Sequence, residues 1–480
     1  MAREHELIIN LPLENPLVEP EEFWLNPENG PDAPDAKSPY KLGKIYPDIA
    51  DFRTIDPSVY SDREYAQREW DQMFTKTWLL AGRASDCKEV GDWFRYDIGP
   101  ESIIIIRGTD KRIKAFYNVC KHRGNRLVMG EFGNSTAIGC VFHSWLWDID
   151  GNLKRATDRE TFRPEALCGD LNLSKVHVAE WAGFVFVSMA DEPIPFDTFI
   201  CQEMRDACAN YNMEDWHIVK QVQLDVDLNW KAVADSFQEI YHVHMLHPGG
   251  RGNVDEHFCQ YDYYPYGHNR MLVPFGLVSH RLPNRSEITP VMAGFMRDCG
   301  IDPDTYTGDI ANGDARRDMQ KAKRVPNNKF GLDFSEYTDA QLTDDWNFSI
   351  FPGVTFNVHV EGTIIQRFRP SPDLDPNKAI YDVTVICPAM NADAGAPWYF
   401  GLEPSVDVTG TGPRPVKRYT NMENTEVGAL LDEDVVNFGR QRMGLRSRGL
   451  DWVRLSEQEG RCQQMYAEVE YYIRGVRDVR

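Results

Sequence analysis

Short apolar runs separated by turn residues dominate the stretch from Trp78 to about Met189. Residues 102–107, 114–119 and 183–188 are rich in β-branched and aromatic side chains, which favour extended strands. Gly-Asp, Asp-Gly and Gly-Asn pairs lie between such runs and are typical of tight turns. The pattern therefore predicts a small all-β domain in this part of the chain.

The residues before this stretch divide into two parts. Residues 1–58 are rich in Pro, Asn, Asp and Glu without sustained periodicity. They predict either an extended arm on a neighbouring subunit or a partly disordered tail. Residues 61–74 have helical spacing, with Ser61 as the predicted N-terminal cap and an apolar face formed by Tyr65, Trp70 and Phe74.

The pattern after residue 193 alternates between helical and extended segments. Strands are predicted at residues 354–369 and 380–386, and residues 424–479 have helical spacing. A β domain followed by a mixed segment of this length favours an α+β chain with more than one domain.

Composition excludes several classes of protein. The chain has 480 residues, of which 42% are hydrophobic, so a large core is expected and a wholly disordered chain is excluded. A net charge of -22 disfavours nucleic acid and anionic membranes as partners. The longest aliphatic run, residues 103–106, is far shorter than a membrane span, and the N-terminus has no signal-like pattern. We therefore expect a soluble, cytoplasmic protein.

Two short loops combine cysteine and histidine at metal-ligand spacing. Cys120 and His122 are separated by one residue, and Cys140 and His143 by two. Two thiolates and two imidazoles fit either a tetrahedral zinc ion or a [2Fe–2S] cluster with both histidines on one iron. The β context and the lack of a following helical histidine pair differ from a zinc finger, so we favour the iron–sulfur cluster.

A second cluster of histidines precedes a Pro-Gly-Gly stop signal. Glu239 and His242 are three residues apart and share one face of a predicted helix. His242 and His247 would lie roughly 140° apart on a regular helix, so they converge on one ion only if that helix bulges or breaks. His244 with His247 is the better pair by spacing, and geometry leaves the choice open.

The first cluster resembles the Rieske signature of the ring-hydroxylating, non-haem iron oxygenases. The similarity extends to residues 115–120 and 181–186, which flank the two loops. It implies a [2Fe–2S] cluster bound by Cys120, His122, Cys140 and His143. Ser144 stands where the family usually has glycine, and we expect this residue to alter the local backbone.

The second cluster is similar to the family's mononuclear iron motif, which begins with Asn-Trp-Lys at residues 229–231. This resemblance implies that His242 and His247 bind Fe(II) and that Glu239 bridges electron transfer between subunits. An acidic stretch near the C-terminus implies Asp434 as the third ligand, with Asp432 and Glu433 as alternatives. The candidate pocket residues are His244, Asn229, Phe237 and His359. For His359, strand alternation favours a solvent-facing position.

The resemblance implies an α+β fold, with a Rieske-type all-β domain and a helix-grip catalytic domain built on an antiparallel sheet. The predicted boundaries are residues 1–58 for the arm, 59–192 for the Rieske domain with its leading helix, and 193–480 for the catalytic domain. Residues 281 to about 346 depart from the family's spacing and are interpreted as an insertion over the substrate entrance.

The function implied is that of a terminal oxygenase component. Electrons would enter at the [2Fe–2S] cluster, and Fe(II) would activate dioxygen to hydroxylate a hydrophobic, aromatic substrate, as in aromatic hydrocarbon catabolism. The alternative is a monooxygenase that hydroxylates or demethylates a non-aromatic or N- or O-methylated substrate. A pure electron-transfer Rieske protein and a zinc-stabilised binding module are the other hypotheses.

The resemblance also implies partners. A ferredoxin, an NAD(P)H-dependent reductase or both would supply electrons to a homotrimer, or a multiple of one, with or without a small β subunit. In such a trimer His143 of one chain would approach Glu239 of the next.

Overall fold

The structure is a computed structural model that describes residues 54–476 except 248, 280 and 283. Most of the predicted arm, residues 1–53, lies outside the described residues. The predicted leading helix is present as α1, Arg63–Glu69, and continues into a π-helical turn. Its cap is Asp62, whose carboxylate accepts a hydrogen bond from the Glu64 amide at 2.8 Å, and not the predicted Ser61.

The β domain forms where the short apolar runs predict it. In the described chain its main sheet has seven strands in the order β2-β11-β10-β5-β4-β3-β6, beside a three-stranded sheet β7-β8-β9. In chain order β2 to β11 are Leu79–Arg83, Asp92–Ile98, Glu101–Arg107, Ile113–Tyr117, Phe132–Asn134, Ala137–Gly139, Leu146–Asp148, Leu153–Arg155, Lys175–Trp181 and Phe184–Ser188.

The run of four isoleucines in β4 is continuous because both faces of the strand are buried. Ile103 and Ile105 pack into the large core that extends through the rest of the molecule. Ile104 and Ile106 pack into a smaller core that also contains Cys120. One strand therefore joins the scaffold of the cysteine–histidine loops to the main core.

The larger domain is built on an eight-stranded sheet in the order β13-β14-β15-β16-β17-β18-β12-β19. All neighbouring strands run antiparallel except the edge pair β12 and β19, which is parallel. The strands β12 to β19 are His217–Val226, Gln260–Tyr263, Asn269–Val273, Asp345–Ile350, Val354–His359, Gly362–Pro370, Ala379–Cys387 and Arg418–Asn421. The short strands β1, Thr54–Ile55, and β20, Val453–Arg454, pair with each other.

Helices surround this sheet and connect its strands. They are α2 to α10, at Phe196–Phe199, Gln202–Cys208, Trp230–Asp235, Val243–Leu246, Pro290–Asp298, Asp314–Arg324, Asp339–Thr343, Ala429–Gly444 and Gly460–Ile473. The predicted α+β class is confirmed. In the described part of the chain, no helix combines the length and apolar character needed to cross a bilayer.

The stretch interpreted as an insertion, residues 281–346, lies between β14 and β15, which are adjacent antiparallel strands. It contains α6, α7 and α8. Arg316 of α7 forms a buried ion pair with Asp344, directly before β15. Because the stretch connects two strands that are neighbours in the sheet, its helices are added without changing the strand order.

A buried ionic network joins the two domains. Asp382 on β18 binds Arg369 through two bonds of 2.7 and 3.0 Å, and Arg367 lies 3.3 Å away. Arg367 also donates to the carbonyls of Leu80 and Ala81 in the β domain, at 3.2 and 2.8 Å. One carboxylate therefore orients the side chain that links the catalytic sheet to the first domain.

Replacing Asp382 with Asn should lower the free energy of unfolding by about 3–5 kcal/mol, because two guanidinium groups lose their counter-charge in a buried setting. Burial would raise the pKa of Asp382, but Arg369 and Arg367 hold it well below its usual range. This stabilisation is therefore present above about pH 4 and is lost as the pH falls through the depressed folded-state pKa. Urea denaturation followed by tryptophan fluorescence measures the effect.

The control is Asp451→Asn, which removes the partner of Arg454 in an exposed ion pair. Its denaturation midpoint should match that of the wild type. Equal midpoints for Asp382→Asn and the wild type would contradict the assigned role.

Candidate metal centres and substrate cavity

The two cysteine–histidine loops have the same backbone design. In the first loop the Gly124 amide donates to the Cys120 carbonyl at 3.0 Å, and in the second the Ser144 amide donates to the Cys140 carbonyl at 2.9 Å. Each loop therefore closes on its cysteine just after the histidine. Both turns need a left-handed residue at the closing position, with φ of 72° at Gly124 and 57° at Ser144.

Ser144 does not change the turn in the way expected from the sequence. Its backbone adopts the left-handed conformation that glycine normally supplies. The Ser144 carbonyl accepts hydrogen bonds from Arg155 at 3.2 Å and from the Thr157 hydroxyl at 3.1 Å. These two contacts hold the unfavourable conformation in place, so the second loop keeps the shape of the first.

The side chains of both loops converge and fit an iron–sulfur cluster. The rings of His122 and His143 have centroids 4.6 Å apart, and both Nδ1 atoms are buried without a hydrogen-bond partner. Cys120 and Cys140 are free thiols, each only 3% exposed. Two buried imidazole nitrogens with no partner among the described residues, beside two cysteines that form no disulfide there, are the donor set that a Rieske cluster requires.

The histidines of the second cluster flank a single helical turn. His242 directly precedes α5, Val243–Leu246, and His247 directly follows it with φ −113° and ψ 72°. The helix predicted to carry Glu239 and His242 is interrupted, since α4 ends at Asp235. This break lets the two Nε2 atoms lie 3.2 Å apart despite the five-residue spacing. His244 is not part of this convergence.

Each of these histidines is oriented by a carboxylate. Glu239 contacts Nδ1 of His242 at 2.5 Å and accepts from the His242 amide at 3.0 Å. Glu433 contacts Nδ1 of His247 at 2.6 Å. Burial would lower the pKa of His242, but Glu239 and Asp434 raise it to about 9. With both Nδ1 atoms engaged, the Nε2 atoms are the ones presented to a common point.

Asp434 supplies the carboxylate at that point. Its two oxygens each lie 3.5 Å from one of the Nε2 atoms, and the side chain is buried. Among the described residues, only His242, His247 and Asp434 bring three such ligand atoms within 4.8 Å of one another. Asp432 instead accepts from the Val427 amide at 3.0 Å. The residues of α9 project about 100° apart, so only one of the three acids faces this point.

This trio lies on the wall of a cavity of about 570 Å³. Phe237 lines the cavity, whereas Asn229 and His244 do not. Asn229 caps α4 and donates to the carbonyls of Tyr60 and Pro376, so its side chain has a structural role. His244 is buried beside Tyr241.

The solvent-facing position expected for His359 is wrong, because the side chain is only 4% exposed. β16 is covered on both faces, so its polar residues are buried as well as its apolar ones. His359 borders a small side cavity and packs against Tyr399 at a centroid distance of 4.4 Å. Burial holds the pKa of His359 well below its usual value.

Sequence analysis missed the polar floor of the main cavity. Asp345, Asn357 and Gln366 lie on three adjacent strands and line the cavity. The only signal for them was the presence of acid and amide side chains in strands that are otherwise apolar. The insertion supplies another part of the cavity wall, through Phe295 and neighbouring residues of α6.

Comparison with known families identifies both parts of the chain. Residues 213–475, more than half of its length, match the family described as "Ring hydroxylating alpha subunit (catalytic domain)". The chain belongs to this family. Residues 77–167 match the family described as "Rieske [2Fe-2S] domain". The predicted family and its two iron cofactors, a [2Fe–2S] cluster and a mononuclear iron, are confirmed.

The chain is similar to curated relatives over part of their length. It is 31% identical over 207 residues to the carnitine monooxygenase oxygenase subunit of Escherichia coli, covering 42% of this chain and 54% of the relative. It is 32% identical over 195 residues to the glycine betaine monooxygenase oxygenase subunit of Chromohalobacter salexigens, covering 41% and 43%. The chain thus spans about half the length of the curated relatives it matches.

Solved structures share the fold. A quaternary ammonium Rieske monooxygenase in complex with L-carnitine aligns with a TM-score of 0.60 at 18% identity, covering 89% of this chain and 99% of the other. Naphthalene 1,2-dioxygenase from Rhodococcus sp. aligns with a TM-score of 0.57 at 14% identity, covering 91% and 98%. At these identities the likeness shows the fold alone.

Replacing Glu433 with Gln should weaken retention of ferrous iron by about 10–100-fold, because the carboxylate that orients His247 is lost. Iron content after dialysis against a graded chelator measures this effect, and the visible absorbance of the [2Fe–2S] cluster should stay unchanged. The control is Glu426→Gln, which affects an exposed pair with Arg418. If both variants retained iron equally, Glu433 would have no role in orienting the ligand.

Proposed function

We propose that this chain is the terminal oxygenase component of a Rieske-type system, which hydroxylates an organic substrate in the 570 Å³ cavity. The observation that carries the proposal is the convergence of two imidazole nitrogens and one carboxylate on the wall of that cavity. The proposed iron ligands are Cys120, His122, Cys140 and His143 for the [2Fe–2S] cluster, and His242, His247 and Asp434 for Fe(II).

When bound, the two centres supply one-electron transfer and the reductive activation of dioxygen. The protein's own contribution is orientation. Glu239 and Glu433 hold both imidazoles by Nδ1, so that the Nε2 atoms converge with the Asp434 carboxylate and the three residues would hold Fe(II). These residues line the cavity, so a substrate bound in it would lie next to the iron that they hold.

We infer that electrons cross between subunits of a trimer, from His143 of one chain through Glu239 of the next. Exposed apolar side chains support such a contact at both centres. Val141 and Phe142, beside His143, are 88% and 53% exposed, and Tyr241, beside His242, is 45% exposed. Apolar groups that flank a functional centre and face solvent mark a protein interface. A cytoplasmic ferredoxin, a reductase or both would supply the electrons.

For the substrate, we favour an N-methylated compound. The relatives matched at about 30% identity are named for carnitine and glycine betaine, and the cavity combines aromatic walls with a polar floor. An aromatic substrate is the second candidate. It is supported by a 26% identical relative from Alcaligenes sp., the alpha subunit of a 2-aminobenzenesulfonate 2,3-dioxygenase, and by apolar lining such as Phe237 and Ile364.

The decisive test uses ¹⁸O₂ with the iron-loaded protein, a reductase, a ferredoxin and a panel of N-methylated and aromatic compounds. We expect labelled oxygen in an organic product, or labelled formaldehyde where hydroxylation of an N-methyl group leads to demethylation. Cluster oxidation without any labelled product across the panel would instead support a pure electron-transfer protein.

Replacing Glu239 with Gln should slow product formation by about 10–100-fold after loading with excess ferrous iron. The amide keeps an oxygen acceptor for His242 but loses the charge of the proposed bridge. Single-turnover oxidation of the pre-reduced cluster, with substrate and dioxygen present, measures electron delivery directly. Glu433→Gln, loaded in the same way, is the comparison. It loses a carboxylate that orients a proposed iron ligand, but it keeps the proposed bridge. Wild-type cluster oxidation and hydroxylation in Glu239→Gln would contradict the bridge.

A further inference from the structure

The floor of the cavity contains one carboxylate whose orientation is fixed by a chain of side chains. Oδ2 of Asp345 accepts from Asn357 at 2.7 Å and from the Tyr399 hydroxyl at 3.4 Å. Asn357 in turn accepts from Gln366 at 2.9 Å, and Gln366 accepts from Tyr381 at 2.5 Å. Asp345 is only 4% exposed, and it is one of the residues that line the cavity.

No lysine or arginine in the described part of the chain forms an ion pair with this carboxylate. Within the described residues, the only basic group within 4.0 Å of Asp345 is His359, whose Nε2 lies 3.7 Å from Oδ1. Burial and the nearby Lys323 hold the pKa of His359 well below its usual value, so this ring is neutral at pH 7. Burial also raises the pKa of Asp345, to about 7. A bound cation would therefore favour its ionised form.

Arg461 is a buried permanent positive charge that favours the ionised form of Asp345, but its side-chain hydrogen bonds within the described chain are with other residues. It donates to Oδ1 of Asn269 at 2.5 Å and to Oδ1 of Asn347 at 2.7 Å. The preceding acid, Asp344, has a different environment because it pairs with Arg316. Of these two adjacent acids, Asp344 pairs with an arginine, whereas Asp345 lines the cavity without an arginine partner among the described residues.

Aromatic rings form the wall next to this carboxylate. Tyr399, Phe275 and Phe295 pack against one another with centroid distances of 5.2 to 5.8 Å, and all three line the cavity. Ring faces carry partial negative charge and attract cations, and quaternary ammonium groups are bound in this way in aromatic cages. Basic side chains of the cavity, Arg297 and Lys329, belong to the insertion, and the side chain of Arg297 is 58% exposed.

We propose that Asp345, together with Tyr399, Phe275 and Phe295, recognises an N-alkylated ammonium group of the substrate. This inference rests on the proposed function, since it assigns the substrate class of the same cavity. A quaternary ammonium has no N–H to donate, so it needs diffuse negative charge and ring faces more than a hydrogen-bond acceptor. Asp345 is thus a specificity residue that selects the cationic compound over a neutral one of the same shape.

The test compares choline with 3,3-dimethylbutan-1-ol, in which carbon replaces the nitrogen. Isothermal titration calorimetry is carried out anaerobically on the iron-loaded protein, so that binding is measured without turnover. The wild type should bind the cation at least about tenfold more tightly than the neutral isostere. Equal affinities, tighter binding of the alcohol, or no measurable binding of either compound to the wild type would by itself overturn the proposal.

Asp345→Asn keeps the shape of the side chain and removes its charge, so it should reduce the preference for choline to about twofold or less. Iron content and thermal midpoint establish that the variant is folded. Asp298→Asn is the matched comparison, because Asp298 is the other carboxylate on the cavity wall away from the iron ligands and accepts from the Trp398 amide at 2.7 Å. Loss of the preference in Asp298→Asn, with its retention in Asp345→Asn, would overturn the assignment.

The readouts separate this inference from the proposed oxygenase function. Preferential binding of choline without ¹⁸O in any product would leave the cation site standing and refute the oxygenase. Labelled hydroxylation of neutral compounds, with no preference for cations in binding, would support the oxygenase and refute the cation site. In turnover, Asp345→Asn should raise KM for a cationic substrate far more than it lowers kcat, whereas a merely structural defect would reduce iron content as well.

Discussion

Two carboxylate–imidazole contacts determine which atoms of the catalytic domain can bind a metal. Glu239 and Glu433 engage Nδ1 of His242 and His247, so both rings present Nε2 to the same point beside Asp434. The partners come from different parts of the fold, one from the loop before α5 and the other from the first turns of α9. Any change that shifts these two elements relative to each other would separate the three metal-binding atoms.

The fold keeps the two metal centres in separate domains. The cysteine–histidine loops extend from a β scaffold that shares the strand β4 with the main core, and the apolar residues Val141 and Phe142 of the second loop face solvent. The network around Asp382 ties this scaffold to the catalytic sheet. Such a connection suits the proposed transfer of electrons between subunits, which would need the first centre to be held at a fixed orientation.

The cavity combines a sheet common to the family with a segment that departs from the family's spacing. Strands β15 to β17 supply a buried polar floor, and the insertion supplies aromatic and basic residues above it. Buried polar side chains are costly unless they are paired, and here one chain of hydrogen bonds links Tyr381, Gln366 and Asn357 to Oδ2 of Asp345. The chemistry of the substrate site therefore depends on residues that are distant in sequence.

The sequence by itself determined the family, the α+β class and the two cysteine–histidine loops, because those features are carried by residues only a few positions apart. It left open how His242 and His247 meet, since this depends on where a helix breaks, and which of three adjacent acids faces them. It misplaced His359, because alternation along a strand does not reveal a second covering layer. Tertiary structure decided these points, since burial and long-range contacts override local spacing.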